Sequence, residues 1–339
     1  MDSTDPDITF TEGVCNHCLA YDRNEKVRQE ESKRIKEVYA AMKGEKYDCI
    51  LGLSGGVDSS LCLHYLVRNG KRPLCFSVDN GWNTPESDEN IMRLVEGLKV
   101  PFFRYTIDLD TFRNLQSAFI QSGTANIEIP TDHIIGATAY EMANKYGIKT
   151  IVSGGNLATE SIMPAAWGYN PGDLVFIKDV YKKFTGKKLK GLPLLPLWKY
   201  NYYRWVKRIK TVPLLDYYEY NREGAKRILE TEYGWKDYGE KHNESVFTSW
   251  FQSFYLFEKF GYDKRKAHYS SLINSGQMTK KEAIELLMKE PIYPKLGIEL
   301  KVMKYPRKTY KDYKNNEKIF KAISRLISKL RKHGIVEKW

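Results

Sequence analysis

The chain has 339 residues, 42% hydrophobic and 13% aromatic, enough for two domains or one large domain with an appendage and too apolar for long disordered stretches. No run of ~18 apolar residues offers a spanning helix, "MDSTDPDITFTEG" lacks the apolar stretch of a secretory signal, and five cysteines, an odd number, fit a reducing cytosol better than a disulfide framework. Charge is unevenly placed around the total of +12: residues 181–339 carry a net +19 and the first 180 a net −7, so the C-terminal half would either concentrate anions (nucleic acid, nucleotide-linked substrates, an acidic membrane surface) or simply be solvated.

Residues 1–20 form a preamble containing "CNHC", and Asn24–Lys43 is charge-rich with scattered Val27, Ile35, Val38 and Met42, the pattern of a surface helix. From Tyr47, short apolar runs alternate with helical stretches. "YDCILGL" reads as a buried strand, Val57–Arg68 as a helix, "RPLCFSV" as a strand, Pro85–Leu98 as a helix and "PFFRYTI" as a strand. Thr111–Gln121 and His133–Tyr146 read as helices, and "IKTIVSG" as a further strand. Strands apolar on both faces and separated by helices predict a doubly wound parallel α/β sheet, with ligands at the carboxyl ends of its strands. After Gly155 the alternation is expected to stop. "YNYYRWVKRIK", "LLDYYEYNREGAKRILETEYGW", Ser249–Phe260, Lys280–Lys289 and Glu317–Lys332 suggest a helical, aromatic-rich region, and "PLLPLWKY" an extended connection. The expected division is 1–44, an N-terminal segment with a surface helix; 45–198, the α/β domain; and 199–339, a helical substrate or partner region.

The string "SGGVDSS", Ser54 to Ser60, joins the first buried strand to a helix. Gly55 and Gly56 permit positive φ and close approach of successive amides to an anion, and the helix N-terminus at Val57 adds partial positive charge. Ser54, Ser59 and Ser60 can donate hydroxyl hydrogen bonds. The loop has no lysine, so Asp58 beside phosphate calls for a divalent cation, Mg2+, between them. Dipoles and a metal-bridging carboxylate suit a pyrophosphate leaving group. The plainer reading, a tight strand-to-helix turn, needs only the two glycines.

This string after an apolar strand resembles the PP-loop of the N-type ATP pyrophosphatases, the superfamily of GMP, NAD, argininosuccinate and asparagine synthetases and several tRNA-modifying enzymes. The resemblance implies a PP-loop α/β fold and a reaction in which ATP adenylylates an oxygen, pyrophosphate departs and a nucleophile displaces AMP. It also implies nucleotide binding by Ser54, Gly55, Gly56, Val57, Asp58, Ser59 and Ser60, with Ser54 and Asp58 taking part in the chemistry. Adenine would meet the backbone at Val78 and Asp79, and the "SGGN" glycines Gly154 and Gly155, with Asn156, would close over ribose or α-phosphate.

"MDSTDPDITFTEGVCNHC" and the stretch from Lys241 to Ala283, "KHNESVFTSWFQSFYLFEKFGYDKRKAHYSSLINSGQMTKKEA", resemble the N-acetyl sugar amidotransferases of bacterial O-antigen and pseudaminic-acid synthesis, over roughly residues 1–290. That resemblance implies conversion of an acetamido group of a nucleotide-linked N-acetyl sugar into an acetamidino group through an O-adenylyl imidate. A separate glutaminase and a cyclase-like barrel subunit would supply ammonia, since no glutaminase nucleophile is visible in this chain. Lys264 and Arg265 could hold phosphate or a sugar carboxylate, and His242 or His268 could take a proton from the attacking nitrogen. Asp132, Glu244, Gln252 and His268 are candidate substrate contacts, with Ser245, Thr248 and His133 as further polar groups. For each residue the plainer reading is a solvated helix position or a structural histidine, and for Asp132 an N-cap.

Cys15 and Cys18 have the C-x-x-C spacing of half a tetrahedral Zn2+ site, with His17 or a distant residue as further ligands; no second C-x-x-C is present. Two competing functions stay open. A PP-loop tRNA-thiolating enzyme would hold RNA on the basic half and on "YPRKTYKDYK", Tyr305–Lys314, but needs a sulfur-donating cysteine, and near the loop only Cys49 and Cys62 stand, both in apolar settings. A non-catalytic scaffold is opposed by the intact Asp58 and serines. The reading preferred is a cytoplasmic ATP-dependent enzyme without nucleic acid as partner.

Overall fold

The computed structural model describes residues 1–239 and 241–332; the end of the expected 199–339 region, residues 333–339, lies outside the described residues. A two-residue hairpin, β1 (Phe10–Thr11) and β2 (Val14–Cys15), leads into a helix, Asn16–Ser32, and a second, Ile35–Ala41. The single surface helix expected over Asn24–Lys43 therefore starts earlier and breaks at Lys33–Arg34.

Five parallel strands follow: β3 (Cys49–Gly52), β4 (Pro73–Asp79), β5 (Phe102–Thr106), β6 (Thr150–Ser153) and β7 (Lys210–Pro213), in the order β5-β4-β3-β6-β7. Alternation along each strand splits the core between the two faces. Cys49, Leu51, Cys75, Val152 and Val212 face the helices Val57–Arg68, Pro85–Leu98 and Arg222–Tyr233, while Ile50, Leu74, Phe76 and Ile151 face the helix Ile129–Lys145. Residues at i and i+1 pointing to opposite helical layers is what doubly wound means physically. The expected fold class is observed.

The alternation does not end after Gly155. Leu174–Thr185, capped by Asp173, is a helix that sequence patterning passed over. The stretch "YNYYRWVKRIK" is helical only to Val206, with a π segment at Tyr202–Val206. It then turns through Arg208 at φ +56° into β7, which pairs with β6 from Lys210↔Thr150 to Pro213↔Ser153. Its short β-branched core, Thr211-Val212, was hidden behind a basic run that reads as a helix. Likewise Pro196, read as part of an extended connection, sits at the N-cap of the helix Leu197–Asn201, where a missing amide hydrogen costs nothing.

The C-terminal region is helical and aromatic. A third core joins Phe112 and Phe119 of the helix Leu109–Ser122 and Phe176 to Phe247, Trp250 and Tyr255. The last three lie on a rod over residues 246–260 whose middle, Phe251–Tyr255, is π-helical. Among the described residues no helix is long and apolar enough to cross a membrane.

Candidate functional site

The chain reverses its direction of winding between β3 and β6, so the loops that leave their carboxyl ends flank one crevice, the usual ligand position of such sheets. From β3, Gly55 takes φ +77°, and a Cβ there would lie 2.2 Å from the Ser87 carbonyl oxygen, so only glycine lets the loop pass the helix Pro85–Leu98. The Trp235 indole N–H, wholly buried, donates to the Gly55 carbonyl at 2.9 Å and fixes the loop from outside. Gly56 is the N-cap of Val57–Arg68 and supplies no side-chain cap, leaving the helix amides directed at the crevice. Hydroxyl oxygens take up the amides here: Val57 N–H donates to Tyr238 Oη (3.3 Å), Gly56 N–H to Ser54 Oγ (3.2 Å) and Ser54 N–H to Ser59 Oγ (3.3 Å). From β6, Gly154 approaches so closely that a Cβ would lie 3.1 Å from the Ser59 amide nitrogen. The resulting cavity of about 220 Å³ is lined by Ser54, Gly56, Val57, Asp58, Ser59 and Gly154 on one bank and by Glu160, Arg222, Tyr238, Lys241, His242 and Glu244 on the other.

The positive charge missing from the loop arrives from this second bank. Lys241 Nζ lies 3.1 Å from Asp58 Oδ2, 2.9 Å from Glu160 Oε1 and 2.9 Å from Thr159 Oγ1. Burial works against its charge, but Asp58 and Glu160 outweigh it and hold the ammonium above its ordinary pKa. Burial likewise works against the Glu160 carboxylate, and Lys241 overrides it to keep the group ionised. Tyr220 donates from Oη to the other oxygen of Asp58, and its phenol is pushed far up by burial and that carboxylate. His242, at φ +70°, holds the left-handed conformation, at a cost of about 1 kcal/mol for a non-glycine residue. Its Nδ1 lies 3.8 Å from Glu244 Oε1, while Glu244 Oε2 is buried with no hydrogen-bond partner. Despite burial, His242 keeps the Glu244 carboxyl below its usual value.

Beyond His242 lies a second charged group. Glu128, just before the helix Ile129–Lys145, accepts from Thr248 Oγ1 at 2.7 Å, and burial, with Asp132 behind it, pushes its carboxyl up to about 8. Asp132, in the first turn of the same helix, keeps its side chain open to solvent, while the protein mass around it raises its carboxyl to about 6 by desolvation. Lys264, the first residue of the helix Lys264–Asn274, touches the Met163 thioether at 2.9 Å, and burial lowers its ammonium to about 8. Three groups that change protonation between pH 6 and 8 beside a polar cavity are the raw material of acid–base chemistry.

Of the residues singled out in the sequence, Ser54, Gly56, Val57, Asp58, Ser59, Gly154, His242 and Glu244 line one cavity, with Asp132 and Lys264 in electrostatic reach of His242 and Glu160 respectively. Gly55 and Gly155 shape the loops. Ser60 turns into the core, its Oγ without a protein partner, because it lies on the inner face of the helix. Val78 and Asp79 end β4 beside the loop but outside the cavity lining. Asn156 is buried, its side chain capping Thr159 N–H at 2.9 Å and bonding the Gly154 carbonyl. Arg265 is directed elsewhere, forked onto Asp263 at 2.7 Å and the Lys289 carbonyl at 2.6 Å, so it staples its own helix start. Gln252 is half-buried on the π segment, away from the cavity lining. His268 makes its Nδ1 hydrogen bond to the Thr159 carbonyl (3.2 Å), and burial drives its pKa to about 3, too weak a base to take up a proton at neutral pH. His133 is structural, bridging the Pro171 carbonyl and the Leu195 amide.

Cys15 and Cys18 do converge, Sγ to Sγ 3.4 Å, at the start of Asn16–Ser32. His17, however, is paired with Asp5 at 2.6 Å, the further neighbour of Cys18 is the Asn274 amide oxygen at 3.6 Å, and among the described residues no third metal-binding side chain joins them. Two thiols fit half of a zinc site, and no chemical step rests on zinc. Cys49 and Cys62 are fully buried and burial raises both thiols, Cys49 to about 12.

Glu128, Glu160, Tyr220, Arg222, Tyr238 and Lys241 were not foreseen. Tyr220, Arg222, Tyr238 and Lys241 stand in the chain among tyrosine-rich and charged stretches, and Glu128 and Glu160 are isolated acids in mostly uncharged ones. The one available hint was the loop itself: a phosphate cradle with an aspartate and no lysine requires a cation from another segment.

A family model described as "LPS biosynthesis protein WbpG-like, C-terminal domain" matches residues 244–328, the segment that begins at Glu244 of the cavity. The uncharacterized protein MJ1599 of Methanocaldococcus jannaschii is 27% identical over 150 residues, 42% of this chain and 52% of the relative, so the chain spans about half the length of the curated relative it matches. Among solved structures, the NMN synthetase of Francisella tularensis is similar with TM-score 0.33 and 15% identity over 55% of this chain and 97% of that one. The NH3-dependent NAD synthetase of Campylobacter jejuni (TM-score 0.31, 16% identity, 42% and 62%) and the glutamine-dependent NAD+ synthetase of Acinetobacter baumannii (0.31, 15%, 71% and 49%) resemble it to a similar degree. Likeness at these scores bears on neither ligand nor reaction.

Proposed function

We propose that this chain is an ATP-dependent amidotransferase of the PP-loop type that turns an acetamido group of a nucleotide-linked N-acetyl sugar into an acetamidino group during synthesis of a bacterial surface polysaccharide. The observation that carries the nucleotide half is the amide-lined loop Ser54–Ser59 at the switch point of the sheet, faced across one cavity by Lys241 and Arg222. The match of residues 244–328 to a lipopolysaccharide-biosynthesis domain supports the sugar half.

The loop amides and the helix N-terminus would receive the ATP phosphates, with Lys241 and Arg222 balancing charge as pyrophosphate departs. Asp58 and Glu160 offer the hard oxygens Mg2+ prefers, and when bound the ion would neutralise the pyrophosphate leaving group. The amide oxygen of the acetamido group bonds to the α-phosphorus as the bond to pyrophosphate breaks. Ammonia then adds at the amide carbon, AMP leaves with the former amide oxygen, and one proton is released. Asp132, ionised above about pH 6 and in electrostatic reach of His242, would accept that proton. Ammonia from a separate glutaminase, delivered through a partner subunit, completes the proposal. The competing tRNA-thiolating reading needs a reactive cysteine at the loop, and the nearest, Cys49 and Cys62, are buried with raised pKa values.

The test is mass spectrometry of nucleotide-linked N-acetyl sugars incubated with protein, MgATP and ammonium. A lighter sugar ion carrying NH in place of oxygen, with AMP and pyrophosphate rising in step and both abolished in Asp58→Ala, is expected. Pyrophosphate release that depends on tRNA and leaves every sugar unchanged would replace this reading.

A further inference from the structure

The helix Glu317–Lys332 is hydrogen-bonded to the body at its start. Asn316 N–H donates to Asp173 Oδ2 (2.5 Å) and Tyr310 Oη donates to Glu317 Oε1 (2.7 Å), while within the helix Lys321 pairs with Glu317 at 2.6 Å. Beyond that turn no side chain of the helix makes a hydrogen bond or ion pair with the rest of the protein among the described residues. Its apolar residues recur at helical spacing, Ile319, Phe320, Ile323, Leu326, Ile327 and Leu330, forming a single stripe. The outer edge of that stripe is open, with Ile319 48% and Leu326 57% exposed, while Phe320, Ile323, Ile327 and Leu330 are half-buried. Lys318, Lys321, Arg325 and Lys329 occupy the opposite face, and Glu317 is the only acidic residue in the helix. The segment that leads into it continues the same charge, with Lys301, Lys304, Arg307, Lys308, Lys311 and Lys314 all exposed, and Leu300 and Met303 exposed among them.

We propose that the helix Glu317–Lys332, together with the basic segment before it, docks this protein onto an anionic lipid surface. Across residues 301–332 Lys and Arg far outnumber the two acidic residues, Asp312 and Glu317, and the apolar stripe is a convex helix face with no shaped groove, so the complementary surface must be negative, extended and deformable. A lipid bilayer with acidic headgroups meets all three requirements: the stripe enters the acyl boundary while the lysines stay at headgroup level. One such signal binds weakly and reversibly; an apolar face plus a polybasic segment gives the two that stable attachment takes. The proposal is independent of the reaction at the cavity.

Co-sedimentation of the full chain with vesicles separates the outcomes. Binding to phosphatidylglycerol-containing vesicles, with little to pure phosphatidylcholine and a decline with added salt, is expected. Ile319→Glu with Leu326→Glu should weaken it at least ~10-fold without changing the melting transition, because both side chains are exposed. Lys318→Glu with Lys321→Glu and Arg325→Glu should abolish the preference for acidic lipid. Equal binding to neutral vesicles, or binding unaffected by the stripe substitutions, would overturn the proposal. No vesicle binding, with dimers in light scattering that Leu326→Glu dissolves, would overturn it in favour of a second copy as the occupant.

Discussion

The phosphate-loop bank of the cavity comes almost entirely from one loop, residues 54–59, with Gly154 beside it, whereas the bank facing it draws Glu160, Arg222, Tyr238, Lys241, His242 and Glu244 from separate segments after β6 and β7. The first bank works through backbone amides and a helix terminus, groups every residue carries, so its recognition depends on conformation and needs only two glycines and small hydroxyl residues in order. The second works through charge at the ends of long side chains, whose usefulness depends on where the fold delivers them. A nucleotide site divided in this way keeps its geometry in the contiguous half and its charge balance in the assembled half.

Four measurements put that contrast at risk. The largest effect is expected at the link between the banks. Lys241→Met leaves Asp58 and Glu160 without their shared ammonium, and ATP-dependent pyrophosphate release should fall by ~10²-fold; near-normal turnover would mean the loop supplies its own charge balance after all. In the contiguous bank the effect should be conformational. Gly55→Ala must sustain φ +77° with its Cβ against the Ser87 carbonyl, lowering unfolding stability by about 2–3 kcal/mol, whereas Gly155→Ala, whose Cβ meets nothing closer than 3.4 Å, should be close to neutral in the same denaturant titration.

The third measurement addresses protonation on the assembled side. Glu128 has its carboxyl raised from 4.5 to about 8, so the fold favours its neutral form and wild-type stability should decline as pH climbs between those values. Asp132 contributes the same sign between 3.8 and about 6, while Lys264, lowered from 10.5 to about 8, contributes the opposite sign above 8. Glu128→Gln keeps the neutral shape, so its denaturation midpoint should gain on the wild type through that window and level off above pH ~8. A constant difference at all pH values would show that Glu128 is ionised in the folded protein. The smallest effect is expected from Trp235→Phe, which removes the N–H donor to Gly55 and should cost about 1 kcal/mol while loosening the loop.

Legibility from the chain followed the same division. The helices Val57–Arg68 and Pro85–Leu98 were readable to the residue because each has a strong terminus, Gly-Gly before Val57 in one and Thr84 before Pro85 in the other. β7 was missed because four residues with two β-branched members cannot outweigh an adjoining basic, aromatic helical pattern; what makes them a strand is pairing with β6. Arg265 and Lys264 look alike as neighbours in a basic run, yet helical geometry sends one to Asp263 and the other toward the charged cluster.

The amino-acid order by itself determined the sheet's alternation, the two-faced strands and the phosphate loop, since each is written in local periodicity and backbone conformation over fewer than about twenty residues. Tertiary structure alone decided that Lys241 answers Asp58, that Glu128 is lifted to about 8, and that His268 is held neutral. Those properties are interaction energies between groups distant in the chain. They depend on inverse separation and on the water excluded around them, quantities that come into existence only once the fold has closed.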